Sequence, residues 1–188
     1  MPAAARLLPG HLERIDIGRA SVAAGAAVIL ATATAVAANG EVSTLEASAF
    51  AGLNDLPDGL WPIVWLPMQA GSFAGSIVLV GAVAAHTRDR RVALAALAGT
   101  QTAYWGAKVL KRAVARGRPA ALVVGAHERE RTRGLGYPSG HTAVAFALAA
   151  AIAPSLGRSA RLGAFATAAF VGMARLYVGA HLPLDVVG

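Results

Sequence analysis

What constrains this chain most is where its charges are absent. Residues 21–38 carry no charged side chain and are rich in alanine, and further apolar runs cover 60–85, 92–110, 139–156 and 162–180. Charges collect in short clusters between these runs. A run of about 20 apolar residues can cross a bilayer as a helix. Inside a membrane every backbone polar group must find an internal partner, which leaves helices or a closed barrel. Helix-forming residues fill the runs and no barrel-type alternation is present, so a barrel is rejected. The expected fold class is therefore all-α: a polytopic transmembrane helical bundle forming a single domain over 1–188.

Composition agrees with this. Of the residues, 56% are hydrophobic and only 14% charged, against about a quarter charged in a soluble average. There is no cysteine, which removes disulfides, thiolate metal sites and a cysteine nucleophile. The net charge of +7 fits cytoplasmic loops and anionic headgroups. Nucleic acid is not expected as a partner, because the basic residues are not interleaved with stacking aromatics.

The run at 21–38 follows Arg6, Arg14 and Arg19 and resembles a signal peptide in order. It exceeds the usual signal core of about 7–15 residues, so it is read as a retained first span. Residues 39–59 hold Glu41, Glu46, Asp55 and Asp58 with no basic residue, and Leu45, Phe50 and Leu53 suggest a short helix lying on the membrane surface. Pro62, Pro67 and Gly71 should make the start of the second run irregular. Residues 108–137 read as a long polar loop holding eight of the seventeen basic residues. Pro183 suits a first helical position, which puts Asp185 in the first turn of a sixth helix. That helix cannot span before Gly188, so its truncation is expected. The loop without basic residues points to an external side for 39–59, 108–137 and 181–188, with 1–20 cytoplasmic.

At Tyr137-Pro138-Ser139-Gly140-His141 the polar loop meets an apolar helix. Ser139 can cap that helix and Gly140 allows a ligand close to the backbone. Free N–H groups at a helix start favour an anion, phosphate above all. His141 adds a proton-transfer group in the first turn. Two further clusters fall on the same membrane face: Lys111 through Arg118-Pro119, and Arg175, His181 and Asp185. Ionisable groups near membrane depth are costly and tend to be functional. Singly, each has an ordinary structural explanation, such as headgroup contact or snorkelling. Three cations, two histidines, a carboxylate and a helix start at one level point instead to a phosphate site.

The pattern Lys111-x6-Arg118-Pro119, then Pro138-Ser139-Gly140-His141, then Arg175-x5-His181-x3-Asp185 resembles the three-part signature of the type 2 phosphatidic acid phosphatase (PAP2) superfamily. The resemblance covers roughly 104–188 and points to the membrane lipid-phosphatase branch. One departure is Ala174, where the family usually has serine. The resemblance implies a six-span core, with 108–141 and 175–188 carrying the active site. It implies that Lys111, Arg118 and Arg175 clamp phosphate oxygens while Ser139 and the Gly140 N–H add donors. His181 would be the nucleophile, Asp185 would orient it, and His141 would be acid and then base. The implied reaction is hydrolysis of a lipid phosphate or diphosphate, with lipid phosphate as substrate and membrane lipids as partners. It would take place at the extracytoplasmic face of the plasma membrane.

No set of His, Asp and Glu has obvious metal-ligand spacing, so neither metal nor cofactor is expected. Ser139 lacks the Gly-x-Ser-x-Gly elbow of a serine hydrolase, and no Walker-type glycine loop is present. The competing readings are a lipid phosphotransferase using the same phosphohistidine and a headgroup-binding or transport module without chemistry.

Overall fold

The computed structural model describes residues 10–188, with side chains from residue 20 onward. The expectation of a cytoplasmic segment at 1–20 falls partly on residues 1–9, which lie outside the described residues. All regular structure among the described residues is helical.

Helix α1 (Gly10–Ala38) carries the first apolar run. Helix α2 (Thr44–Asn54) starts at Ser43, whose hydroxyl accepts the Glu46 N–H at 3.1 Å. The second run forms α3 (Trp61–Met68) and α4 (Phe73–Thr87), separated by a 3-10 turn at Gln69–Gly71. The two halves bend by 69°; Pro67 lies inside α3, and Ser72 caps α4 by accepting the Gly75 N–H at 2.9 Å. Helix α5 (Arg90–Val114) is capped by Asp89, and α6 (Pro119–Leu122) is one short turn. Then come α7 (Gly140–Ile152), α8 (Arg158–Tyr177) and α9 (Pro183–Val187).

Helix α7 is the centre of the bundle, packed against both α5 and α8, with α4 against α5. Its contact face is built of small residues. Ala145 and Ala149 meet Ala168 and Val171 of α8, while Leu148 meets Val80 and Ala96. Small residues let helix backbones approach closely where lipid gives no hydrophobic drive for association. Helix α1 stands at the edge. Val22, Val28 and Ile29 are exposed, and only its last turns bury Ala33 and Ala37 against Tyr137. The Tyr137 hydroxyl pairs with Thr34 Oγ1 at 2.8 Å.

By length and apolarity, 20–38 is the one helix among the described residues that passes as a span alone, and the bent pair 58–71 with 73–87 passes together. On that measure α7 is short, and α5 and α8 carry basic residues within or at the ends of their apolar stretches. Two expectations need correction. First, the apolar face of α2 is turned into the protein. Leu45 is 79% exposed, but Phe50 is 1% exposed and packs with Leu53 against Leu176 and Leu182. Second, the loop at 108–137 begins later than expected. Leu110 and Val114 bury against the Ala33, Ala37 and Tyr137 cluster, and that i, i+4 apolar pair carries α5 past Lys111. Asp185 does fall in the first turn of α9, with Pro183 at its first position.

Candidate active site

Each signature segment ends up at one end of the bundle because each sits at a helix terminus. Lys111 is in the last turn of α5, His141 in the first turn of α7, and Arg175 in the last turn of α8. Arg118 caps the start of α6 and His181 lies in the tight turn before α9. Lys111, Arg118, Gly140, His141, Arg175 and His181 line one cavity of about 320 Å³. The sequence places these residues in three separate stretches, and the fold brings all six to one cavity.

Two of the three cations are held in place by backbone carbonyls, and the third by a carboxylate. Lys111 Nζ donates to the Leu135 carbonyl at 2.9 Å and to the Gly136 carbonyl. Arg118 donates to the carbonyls of Ala180 at 2.6 Å, Gly134 at 3.2 Å and Arg133 at 3.2 Å. Arg175 Nη1 donates to Glu130 Oε2 at 2.6 Å, and its Nε has no hydrogen-bond partner among the described residues. Glycine is required at 136, where an added Cβ would come within 2.4 Å of the Gly117 carbonyl oxygen.

Behind the cavity, His181 Nδ1 faces Asp185 Oδ2 at 3.4 Å. That is long for a hydrogen bond, as such contacts often are before substrate tightens them. Nδ1 has no hydrogen-bond partner among the described residues. Asp185 is fully buried and well held. Oδ2 accepts the Leu182 N–H at 2.9 Å, and Oδ1 accepts from Arg116 Nη1 at 3.0 Å.

The groups in the polar layer beyond the apolar runs are strongly biased. Burial, reinforced by Lys111 and Arg175 against the opposing Asp185, lowers His181 to about 3. Its imidazole is therefore neutral at ordinary pH and keeps a ring-nitrogen lone pair. Burial pushes Asp185 upward, but His181, the Leu182 N–H and Arg116 outweigh it and hold the carboxylate below its usual range. Burial and then Arg118 lower Lys111 to about 8, and burial with Arg175 lowers Arg118. Packing cations together has this cost, which an anion among them would relieve.

Ser139 stands apart from the other residues. Its hydroxyl caps α7, accepting the Thr142 N–H at 3.4 Å and pairing with Thr142 Oγ1 at 2.9 Å. It borders an apolar groove between α7 and α8 rather than the cationic cavity. Ala174 packs against Met68, Tyr177 and Val178, away from the cavity wall. Among the described residues no group of three or more His, Asp or Glu could hold a metal ion.

Several residues around the site give no signal in the sequence. Arg116 is only one basic residue among several in its segment, yet its side chain is completely buried between Glu46 and Asp185. Glu130 pairs with Arg175, and its neighbour Arg129 is firmly held. Arg129 donates to the carbonyls of Asn54, Leu56 and Tyr177 and to Asp58, and lies over the Tyr177 ring.

A family model described as the PAP2 superfamily matches residues 92–188, just over half of the chain. The chain belongs to the PAP2 superfamily. Two solved structures share the fold of this PAP2 chain. LpxE of Aquifex aeolicus superposes with a TM-score of 0.70 at 22% identity, covering 78% of this chain and 88% of that one. The transmembrane PAP2-type phosphatidylglycerolphosphate phosphatase of Bacillus subtilis gives 0.67 at 21% identity, covering 85% and 86%. At these identities the likeness is one of fold. Comparison with curated proteins gave no match. PAP2 membership makes the chain a phosphatase, and its fold is that of transmembrane PAP2 proteins.

Proposed function

We propose that this PAP2 protein hydrolyses a lipid phosphate or diphosphate through a phosphohistidine at His181, without a metal. The observation that carries the reading is the shared cavity: three cations and two histidines line one space of about 320 Å³, with Asp185 behind His181. Lys111, Arg118 and Arg175 would neutralise the phosphoryl oxygens, the part a metal plays in many phosphoryl-transfer sites. The Gly140 N–H adds a donor at the start of α7.

In the first step Nε2 of His181 attacks phosphorus, a P–N bond forms and the P–O bond to the lipid breaks. His141 gives its proton to the leaving oxygen. Asp185 accepts from Nδ1–H, which fixes the tautomer and steadies the ring as it gains positive charge. In the second step His141 takes a proton from water, the hydroxide attacks phosphorus, and the P–N bond breaks to release inorganic phosphate. The lipid tail would lie between helices, in the plasma membrane, with the site on the extracytoplasmic side.

The test is phosphate release from a panel of lipid phosphates by purified, detergent-solubilised protein with EDTA present, beside His181→Ala. Release that persists in EDTA and disappears in the variant is expected. Release that requires added metal, or that survives His181→Ala, would overturn the mechanism.

A further inference from the structure

Behind the catalytic pair lies a chain of charges with no place in the signature. Arg116 Nη2 donates to Glu46 Oε2 at 2.7 Å and Nη1 donates to Glu46 Oε1 at 3.0 Å, a two-pronged grip. The same Nη1 reaches Asp185 Oδ1 at 3.0 Å, and Nη2 also donates to the Glu41 carbonyl at 3.1 Å. Glu46 does a second job, accepting the Leu184 N–H at Oε1 at 3.0 Å. Leu184 is the second residue of α9 and Asp185 the third. Leu182, which precedes α9, has no side-chain acceptor to cap it, so a carboxylate from α2 serves an N–H that would otherwise lack a partner.

We propose that Glu46 and Arg116 are positioning residues for the reaction, fixing the Asp185 carboxylate so that one oxygen takes Arg116 and the other faces His181 Nδ1. This rests on the phosphatase reading of the site. The geometry favours positioning over simple stabilisation. A buried ion pair commonly returns little net stability once its desolvation is counted. What it does supply is direction: a planar guanidinium gripped on two sides can present its remaining N–H along one line only. Arg116 takes one carboxylate oxygen of Asp185 and the Leu182 N–H takes the other from the side, leaving the carboxylate little freedom to rotate. Glu46 comes from α2, outside the residues the family model matches, so the N-terminal part of the chain reaches the catalytic pair through it.

The test uses the full chain in detergent and one long-chain phosphatidic acid as substrate. Steady-state kinetics are compared for wild type, Glu46→Gln, Arg116→Lys and Arg116→Gln, with thermal melting of each. Glu46→Gln keeps the shape but turns one accepting oxygen into a donor facing Arg116. It is expected to lower kcat about tenfold with KM within about twofold, the low end of what outer partners contribute where a histidine binds a metal. Arg116→Gln should also move the acid limb of kcat to higher pH, because removing a cation raises the Asp185 pKa. Arg116→Lys, which keeps the charge without the fork, should leave that limb in place while kcat still falls.

A kcat for Glu46→Gln within twofold of wild type, in folded protein, would overturn the proposal even if Arg116→Gln does not fold. So would a loss confined to KM. A wild type that releases no phosphate would instead sink the phosphatase reading and the proposal together.

Discussion

The backbone N–H of Ser139 donates to the carbonyl oxygen of Asp185 at 2.7 Å. This bond joins the start of α7 to the first turn of α9, so the segments bearing His141 and His181 are held together by main chain. Side-chain replacement within either segment should leave that frame standing. Loss of activity in such variants can then be read as loss of chemistry.

His141→Ala is expected to lower kcat about 10²–10⁴-fold, the usual worth of a positioned acid or base, while the protein keeps its melting temperature. Substrates with more acidic leaving groups should suffer less, since they need less help from a proton. Equal losses across a leaving-group series would argue against the acid role.

Glu130 holds Arg175 at 2.6 Å with its side chain about a third exposed. A phosphoryl oxygen would compete for the same guanidinium. Glu130→Gln removes the competing charge, and a pair open to solvent on its carboxylate side is worth about 1 kcal/mol. KM for a lipid phosphate should therefore fall by up to about fivefold with kcat little changed. A rise in KM would show that Glu130 orients Arg175 for binding instead.

Lys111 supplies the pH dependence. Burial and then Arg118 lower it to about 8, so above that pH the site holds a neutral amine that must gain a proton to bind an anion. KM should rise above about pH 8, approaching tenfold per pH unit, while little changes below it. The effect on stability has the opposite sense. The unfolded chain binds the extra proton between about pH 8 and the ordinary lysine value, so the folding penalty from this group is largest below pH 8 and eases as pH rises. Measuring KM between pH 7 and 9.5 for wild type and Lys111→Arg checks the first point, since arginine should flatten the rise.

Asn54 is the structural counterpart. It is 1% exposed, accepts the His127 N–H at 2.8 Å, and donates to the carbonyls of His127, Leu176 and Tyr177. It thereby closes the end of α8 and the loop that carries Glu130. Asn54→Ala strands buried backbone groups at about 1–3 kcal/mol. Denaturant titration should show that loss, and activity should fall with the stability of the loop rather than in proportion to any single catalytic step.

The sequence by itself determined the fold class and the family. Charge-free runs with helix-forming residues admit only a helical membrane bundle, and the spacing from Lys111 to Arg118, through Ser139-Gly140-His141, to Arg175, His181 and Asp185 carries the family signature. Where those residues sit is also local: helix starts and ends follow from Ser139, Pro119 and Pro183. Only the tertiary structure decided what stands behind them. Glu46, Arg116, Glu130 and Asn54 act through partners distant along the chain. No periodicity or spacing encodes such pairs, because they depend on which helix ends the packing of α2, α5, α8 and α9 brings together. Tertiary structure also moved Ser139 off the cavity wall, since a capping serine must turn its hydroxyl along its own helix. It moved Phe50 from an expected membrane surface into the core, where α8 and α9 supplied an apolar face that the local sequence of α2 could not reveal.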